Sequence, residues 1–144
     1  MNNYILGNKG ESLTKDHYIK NGYKLVSSNF DYYKKKGKGR QGEIDLIFTK
    51  NNILVIVEVK SRNNLKFGHA LEQIDHRKLN YIQKSYSYFL LKNPKYSKHF
   101  ARFDAATLQN GELQIIKNPI VFKLSHINFD LFLSHDFNNR NLNN

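Results

Sequence analysis

The chain has 144 residues, which suits a single domain, and 40% hydrophobic content with 13% aromatic residues is enough for one core. Its 23 Lys and Arg residues against 12 Asp and Glu residues give a net charge of +11. This charge favours a polyanionic partner such as nucleic acid, because neutralised phosphates release their counterions. An anionic membrane surface would also attract it. The composition of the chain, rich in Lys and Asn as an AT-biased genome produces, is an explanation without a partner.

Several classes of protein are excluded by composition. There is no cysteine, which rules out disulfides and thiolate zinc sites. The longest purely apolar run, residues 53–57, is far too short to cross a bilayer, so we expect no membrane partner. The N-terminus lacks the apolar stretch of a signal peptide, so we expect a cytoplasmic protein.

Hydrophobic periodicity and turn signals predict an α/β fold with the order α-β-β-β-α-β-β, a single mixed sheet flanked by helices. The predicted bounds are 12–21 and 70–91 for the helices, and 23–30, 43–49, 53–60, 101–108 and 112–117 for the strands. Asn51-Asn52 and Asn110-Gly111 supply the turns of two hairpins. We expect one domain over residues 1–137 and a polar, disordered tail over 138–144; the apolar segment 121–137 has no assigned place.

Acidic and basic residues interrupt the first hairpin where a buried strand is expected. Residues 53–59 are apolar except for Glu58, as in a central strand covered on both faces. Lys60 follows directly on the same strand, and Asp45 falls in the preceding strand. A two-residue turn at 51–52 places Asp45 opposite Glu58, and Glu43 opposite Lys60, with all four side chains on one face. A solvated edge hairpin with weak ion pairs is the structural alternative.

Two carboxylates held this close repel each other unless a cation lies between them. Mg²⁺ suits such a site, since it takes one or two carboxylates, several waters and phosphate oxygens. The sequence therefore predicts a divalent-cation site, for Mg²⁺ or Mn²⁺, at Asp45 and Glu58.

The spacing Asp45, twelve residues, Glu58-Val59-Lys60 resembles the core of the PD-(D/E)XK nuclease superfamily. A longer string, over about residues 7–122, resembles the bacterial YraN family, which is similar to archaeal Holliday-junction resolvases. The residues that carry this likeness are Gly7, Gly10-Glu11, Gly42-Glu43-Ile44-Asp45-Leu46-Ile47, Val57-Glu58-Val59-Lys60, Phe67-Gly68, Lys78 and Arg102-Phe103-Asp104.

The resemblance implies a restriction-endonuclease-like core and a role for each site residue. Asp45 and Glu58 would bind the metal, together with the carbonyl of Val59. Lys60 would orient or help deprotonate the attacking water and offset transition-state charge. Glu11 would add an outer carboxylate acting through water, although it also suits the first turn of a helix. The resemblance implies a homodimer as well.

A basic segment precedes the hairpin and is the candidate contact with nucleic acid. Lysines and an arginine there would contact backbone phosphates, with neighbouring tyrosines stacking on bases; a solvated loop is the alternative. The candidate residues are Lys34, Lys35, Lys36, Lys38 and Arg40.

Together with the basic charge and the acidic hairpin, the resemblance implies a metal-dependent endonuclease acting on DNA, with branched or structured DNA as the expected substrate class. A non-catalytic nucleic-acid-binding module with the same fold is the alternative function. A regulatory or assembly protein that binds metal for stability is a third. Arg102 and Asp104 share a strand face, and we interpret them as a structural pair.

Overall fold

The computed structural model describes residues 2–32, 39–40, 42–61 and 76–117, and within these it contains one five-stranded sheet and two α-helices. The helices are α1 (Asn3–Lys20) and α2 (His76–Lys92). The strands are β1 (Lys24–Tyr32), β2 (Gly42–Lys50), β3 (Ile53–Ser61), β4 (Phe100–Gln109) and β5 (Glu112–Lys117). The predicted α/β fold and its element order are confirmed.

The sheet is mixed, and its strands are ordered β1-β2-β3-β4-β5. All neighbours are antiparallel except β3 and β4, which are parallel and are therefore joined through a crossover that contains α2. Lys50 pairs with Ile53 across the Asn51-Asn52 turn, as predicted. Asn51 has a φ of 53°, which Asn tolerates better than most residues.

In the described part of the chain, α2 packs on one face of the sheet and α1 on the other, so β3 is buried on both sides as predicted. On the α2 face, helix residues including Ile82 and Phe89 pack against Leu54, Ile56 and Phe103. On the α1 face, the buried ring of Tyr18 stacks on Phe48 with 4.5 Å between ring centroids. The alternation of β3 side chains between two cores explains why its sequence is apolar throughout.

Helix α1 begins at Asn3, well before the predicted residue 12. The side chain of Asn2 accepts a hydrogen bond from the Tyr4 N–H and so caps the helix. Gly7 and Gly10, which favour a loop in isolation, therefore lie inside the helix. Gly10 allows a close approach of α1 to β3, because a Cβ at this position would collide with Ser61 Oγ and crowd Val59.

Helix α2 ends at Lys92, before Pro94, which indicated the end of the helix. A 3-10 helix follows over Pro94–Tyr96. The described helix begins at His76, and the earlier part of the predicted helix, residues 70–75, lies outside the described residues. So do residues 118–144, with the segment 121–137 and the predicted tail. Among the described residues, no helix combines the length and apolarity needed to cross a membrane.

A matched pair of substitutions tests the contact between α1 and β3. Gly7→Ala should raise the free energy of unfolding by about 0.5–1 kcal/mol, since helix propensity improves and no described atom lies within 4 Å of the new methyl group. Gly10→Ala gains the same propensity but should lower stability by about 1–3 kcal/mol through overpacking against β3. Urea denaturation measures both.

Ser61→Ala should rescue much of the loss in Gly10→Ala. The Ser61 hydroxyl is buried without a hydrogen-bond partner among the described residues, so its removal costs little and vacates the space that the new methyl group at position 10 needs. Equal effects of the two glycine substitutions would contradict the close packing.

Candidate functional site

The pairing of β2 with β3 stops at the position where the acidic residues begin. Paired residues run from Lys50↔Ile53 to Leu46↔Val57, although both strands continue. The predicted pairs of Asp45 with Glu58, and of Glu43 with Lys60, would come next, and the register ends before them. Instead, Asp45 Oδ2 accepts a 2.7 Å hydrogen bond from the Val59 N–H, so a side chain takes the place of the strand partner.

The alternation of side chains also slips at Asp45. Ile44 belongs to the core on the α2 face, whereas Leu46, two residues later, belongs to the core on the α1 face. On the other side, Asn29 of β1 lies between residues paired with Leu46 and Ile44, and its φ is 51°. Irregularities of this kind re-aim a side chain, and here they bring Asp45 towards β3.

Glu58 is a buried carboxylate with two cationic partners. Its side chain is 3% exposed, and its Oε1 atom lies 2.9 Å from Lys60 Nζ and 2.9 Å from Lys78 Nζ. Leu54 and Ile56, on the same face of β3, are fully buried in the apolar core. A carboxylate in such surroundings is strongly disfavoured without compensation, and the two ammonium groups provide it.

Asp45 lies close enough to Glu58 for the two to repel each other. Burial and, next, the charge of Glu58 raise the pKa of Asp45 from 3.8 to about 7, against the opposing hydrogen bond from Val59. Lys60, which also lowers this pKa, belongs to the same group. The structure therefore brings Asp45, Glu58 and Lys60 together at one place, where β2 and β3 separate.

The donor set fits a hard divalent cation. Among the described residues, the contacts of the carboxylates involve Oδ2 of Asp45 and Oε1 of Glu58, which leaves Oδ1 and Oε2 for a metal. No cluster of three or more His, Cys, Asp or Glu side chains with metal-binding geometry occurs in the described part of the chain. Mg²⁺ needs only one or two carboxylates, because waters and phosphate oxygens complete its shell.

Apart from Val59, the remaining predicted site residues make no direct contact with Asp45, Glu58 or Lys60 among the described residues, or lie outside the described part of the chain. Glu11 follows Gly10 on α1 and makes no hydrogen bond or ion pair with the site among these residues, and its predicted role through water stays a prediction. Arg40 is exposed and pairs with Asp31 at 3.4 Å and with Glu43 at 3.2 Å. The four predicted lysines, Lys34, Lys35, Lys36 and Lys38, fall outside the described residues.

Val59 takes part in the site through its backbone. Its N–H group donates to Asp45, and this is the contact that holds the Asp45 carboxylate beside Glu58. The prediction for its carbonyl, as a third metal ligand, stays a prediction.

Lys78 is a site residue to which the sequence analysis assigned no role. It comes from α2 and meets Glu58 across the space between helix and sheet. Although burial alone lowers the pKa of an ammonium group, attraction to Glu58 outweighs it and raises the pKa of Lys78. Ile82 and Tyr86, four and eight residues later on α2, are buried. The sequence signal for Lys78 was therefore a lysine on the same face of the helix as these apolar residues.

Arg102 and Asp104 form the pair predicted from their shared strand face. The guanidinium donates to both carboxylate oxygens of Asp104, at 3.0 and 2.9 Å, and also to the Tyr23 hydroxyl. The buried Tyr18 hydroxyl donates to Asp104 at 2.6 Å. This network joins α1 to β4 on the α1 face and is separate from Glu58, which faces α2.

The family model described as "Uncharacterised protein family UPF0102" matches residues 10–108, which include Asp45, Glu58, Lys60 and Lys78. The chain belongs to the UPF0102 family. It is 35% identical over 118 residues to a UPF0102 protein of Persephonella marina, covering 82% of this chain and 95% of the relative. A UPF0102 protein of Brachyspira hyodysenteriae is 37% identical over 124 residues, covering 83% and 98%.

In this UPF0102 protein, the raised pKa of Asp45 predicts a pH-dependent loss of stability without metal. The unfolded chain releases the Asp45 proton near pH 3.8, whereas the folded protein holds it to about pH 7, so this group's contribution falls as pH rises between those values. In EDTA at pH 8, Asp45→Asn should therefore unfold with a free energy higher by at least about 1 kcal/mol, since one pKa unit corresponds to about 1.4 kcal/mol.

The gain from Asp45→Asn should shrink towards pH 4, which denaturant titrations at several pH values would measure. Asp16→Asn, on the exposed surface of α1, is the matched control and should show no such trend. An Asp45→Asn variant less stable than the wild type at pH 8 would contradict the repulsion between Asp45 and Glu58.

Proposed function

We propose that this UPF0102 protein is a metal-dependent endonuclease that hydrolyses phosphodiester bonds in DNA. The observation that carries the proposal is the buried Glu58 beside Asp45 and Lys60, where two strands of an apolar sheet stop pairing. Two carboxylates that repel each other inside a protein lower its stability. Such costs concentrate at functional sites, where a bound cation or substrate repays them.

The likeness of these residues to the PD-(D/E)XK nuclease core supports the reaction type. In that core, an acidic residue precedes an acidic-x-Lys motif on the next strand, as Asp45 precedes Glu58-Val59-Lys60 here. The resemblance of the sequence to the YraN family, and through it to archaeal Holliday-junction resolvases, supports branched or structured DNA as the substrate and a homodimer as the active form.

Each group of the site has a distinct role in the proposed reaction. Asp45 and Glu58 would hold Mg²⁺ or Mn²⁺, which supplies a polarised water and a Lewis acid for the phosphate. Lys60 keeps its ammonium group beside Glu58, where it orients the attacking water and offsets the negative charge of the transition state. The Val59 N–H group fixes the carboxylate of Asp45, so that the site is preorganised.

The charge of the chain supports a polyanionic substrate. The net charge of +11 favours association with DNA, and the basic segment with Lys34, Lys35 and Lys36 directly precedes β2 in the sequence. Phosphate contacts of this kind position a nucleic acid without reading its sequence. We therefore expect the protein to recognise its DNA substrate by shape and not by base sequence.

A cleavage assay on duplex, flap, single-stranded and four-way-junction DNA tests the proposal, with Mg²⁺, Mn²⁺ or EDTA. We expect cleavage with metal and none in EDTA. Lys60→Ala should lower the cleavage rate by about 10²–10³-fold, because its ammonium group acts on charge that develops in the transition state. Binding of the uncut junction in EDTA should change little, since ground-state contacts are retained.

Lys24→Ala is the matched control for charge, because Lys24 is exposed on β1 and its removal changes the net charge equally. It should cleave at the wild-type rate. If the wild type binds DNA but cuts none of the four substrates with either metal, the non-catalytic binding module replaces the enzyme.

A further inference from the structure

Glu58 shares one oxygen between two ammonium groups of different origin. Lys60 lies two residues further along β3, on the same face, and its contact is local to the strand. Lys78 belongs to α2 and approaches the same Oε1 atom from across the helix–sheet layer, also at 2.9 Å. Both lysine side chains are about one-third exposed, whereas Glu58 is 3% exposed, so water does little to separate these charges.

The two lysines offset the negative charge of Glu58 when the site holds no metal. Among the described residues, Lys60 and Lys78 are the cations that contact Glu58, and Asp45 and Glu43 add negative charge nearby. A divalent ion bound to Glu58 would sit about 2.0–2.1 Å from a carboxylate oxygen. Two ammonium groups and a divalent ion around one buried carboxylate would repel one another strongly, since partial burial weakens screening.

We propose that Lys78 is a positioning residue that supplies positive charge at Glu58 in the absence of a metal and is displaced by charge repulsion when the metal binds. This inference rests on the proposed metal site. In it, Lys78 balances the charge of Glu58 while no metal is bound. Lys78 is the group that moves, because it is held from a separate element, whereas Lys60 is fixed beside Glu58 by the strand. Once displaced, its ammonium group lies next to the metal site, where a substrate phosphate can receive it.

The proposal predicts opposite effects of one substitution on metal and on DNA. Lys78→Met keeps the length of the side chain but removes its charge, so Mn²⁺ should bind at least about tenfold more tightly without DNA, because the repulsion between the ammonium group and the metal is gone. At saturating Mn²⁺, the KM for DNA cleavage should rise, because a phosphate contact is lost. A purely structural role would weaken the site for both ligands.

Titration of Mn²⁺ by electron paramagnetic resonance, with steady-state cleavage of one four-way junction, measures both effects. Lys78→Arg keeps the charge and should bind Mn²⁺ within a few-fold of the wild type. Lys84→Met, on the exposed side of the same helix, controls for the loss of a lysine from α2 and should match the wild type in both assays. Lys78→Gln replaces the methionine variant if that variant does not fold.

The outcomes separate this inference from the proposed function. If the wild type binds Mn²⁺ and cuts DNA but Lys78→Met binds Mn²⁺ equally or more weakly, or shows no rise in KM, the role of Lys78 is overturned while the nuclease stands. If the wild type binds no Mn²⁺, the metal site itself is overturned, and the role of Lys78 with it.

Discussion

The hydrogen bond from the Val59 N–H to Asp45 lies where β2 and β3 stop pairing, and the geometry of the site follows from it. A carboxylate that replaces a strand partner is held against the backbone of β3, next to the glutamate that precedes Val59. The neighbouring strand accommodates the slip through Asn29, whose positive φ few other residues adopt at low cost. The backbone therefore fixes one of the two acids of the site.

The second acid, Glu58, is fixed by burial and by charge. Apolar residues precede it on the same face of β3, so its side chain has little contact with water and depends on Lys60 and Lys78. Removing one partner of a buried ion pair is usually more destabilising than replacing both. The repulsion between Asp45 and Glu58 lowers the stability of the folded protein further. A site that opposes folding in this way is best explained by a ligand that binds the folded protein and stabilises it.

Local sequence patterns predicted most of the fold and part of the candidate site. Alternation and the two Asn-containing turns predicted the strands, the Lys50–Ile53 register and the double burial of β3, because these depend on nearby residues. The start of α1 was mispredicted, since Gly10 is costly in an isolated helix and is justified only by its contact with β3. Residues 44–46 follow a regular alternation in sequence, so the slip at Asp45 left no mark there. Lys78 reaches Glu58 from twenty residues away in sequence, a contact that no local pattern encodes.

The central claim is that Asp45 and Glu58 together bind a divalent cation beside Lys60. A crystal structure of the protein grown with Mn²⁺, with data collected at an energy where manganese scatters anomalously, tests it most directly. The account predicts one anomalous peak within about 2.0–2.4 Å of an oxygen of each carboxylate, as expected for small divalent cations, with Lys78 Nζ moved away from Glu58. A fully loaded crystal with no peak at these carboxylates, and with Lys78 still bound to Glu58, would contradict it.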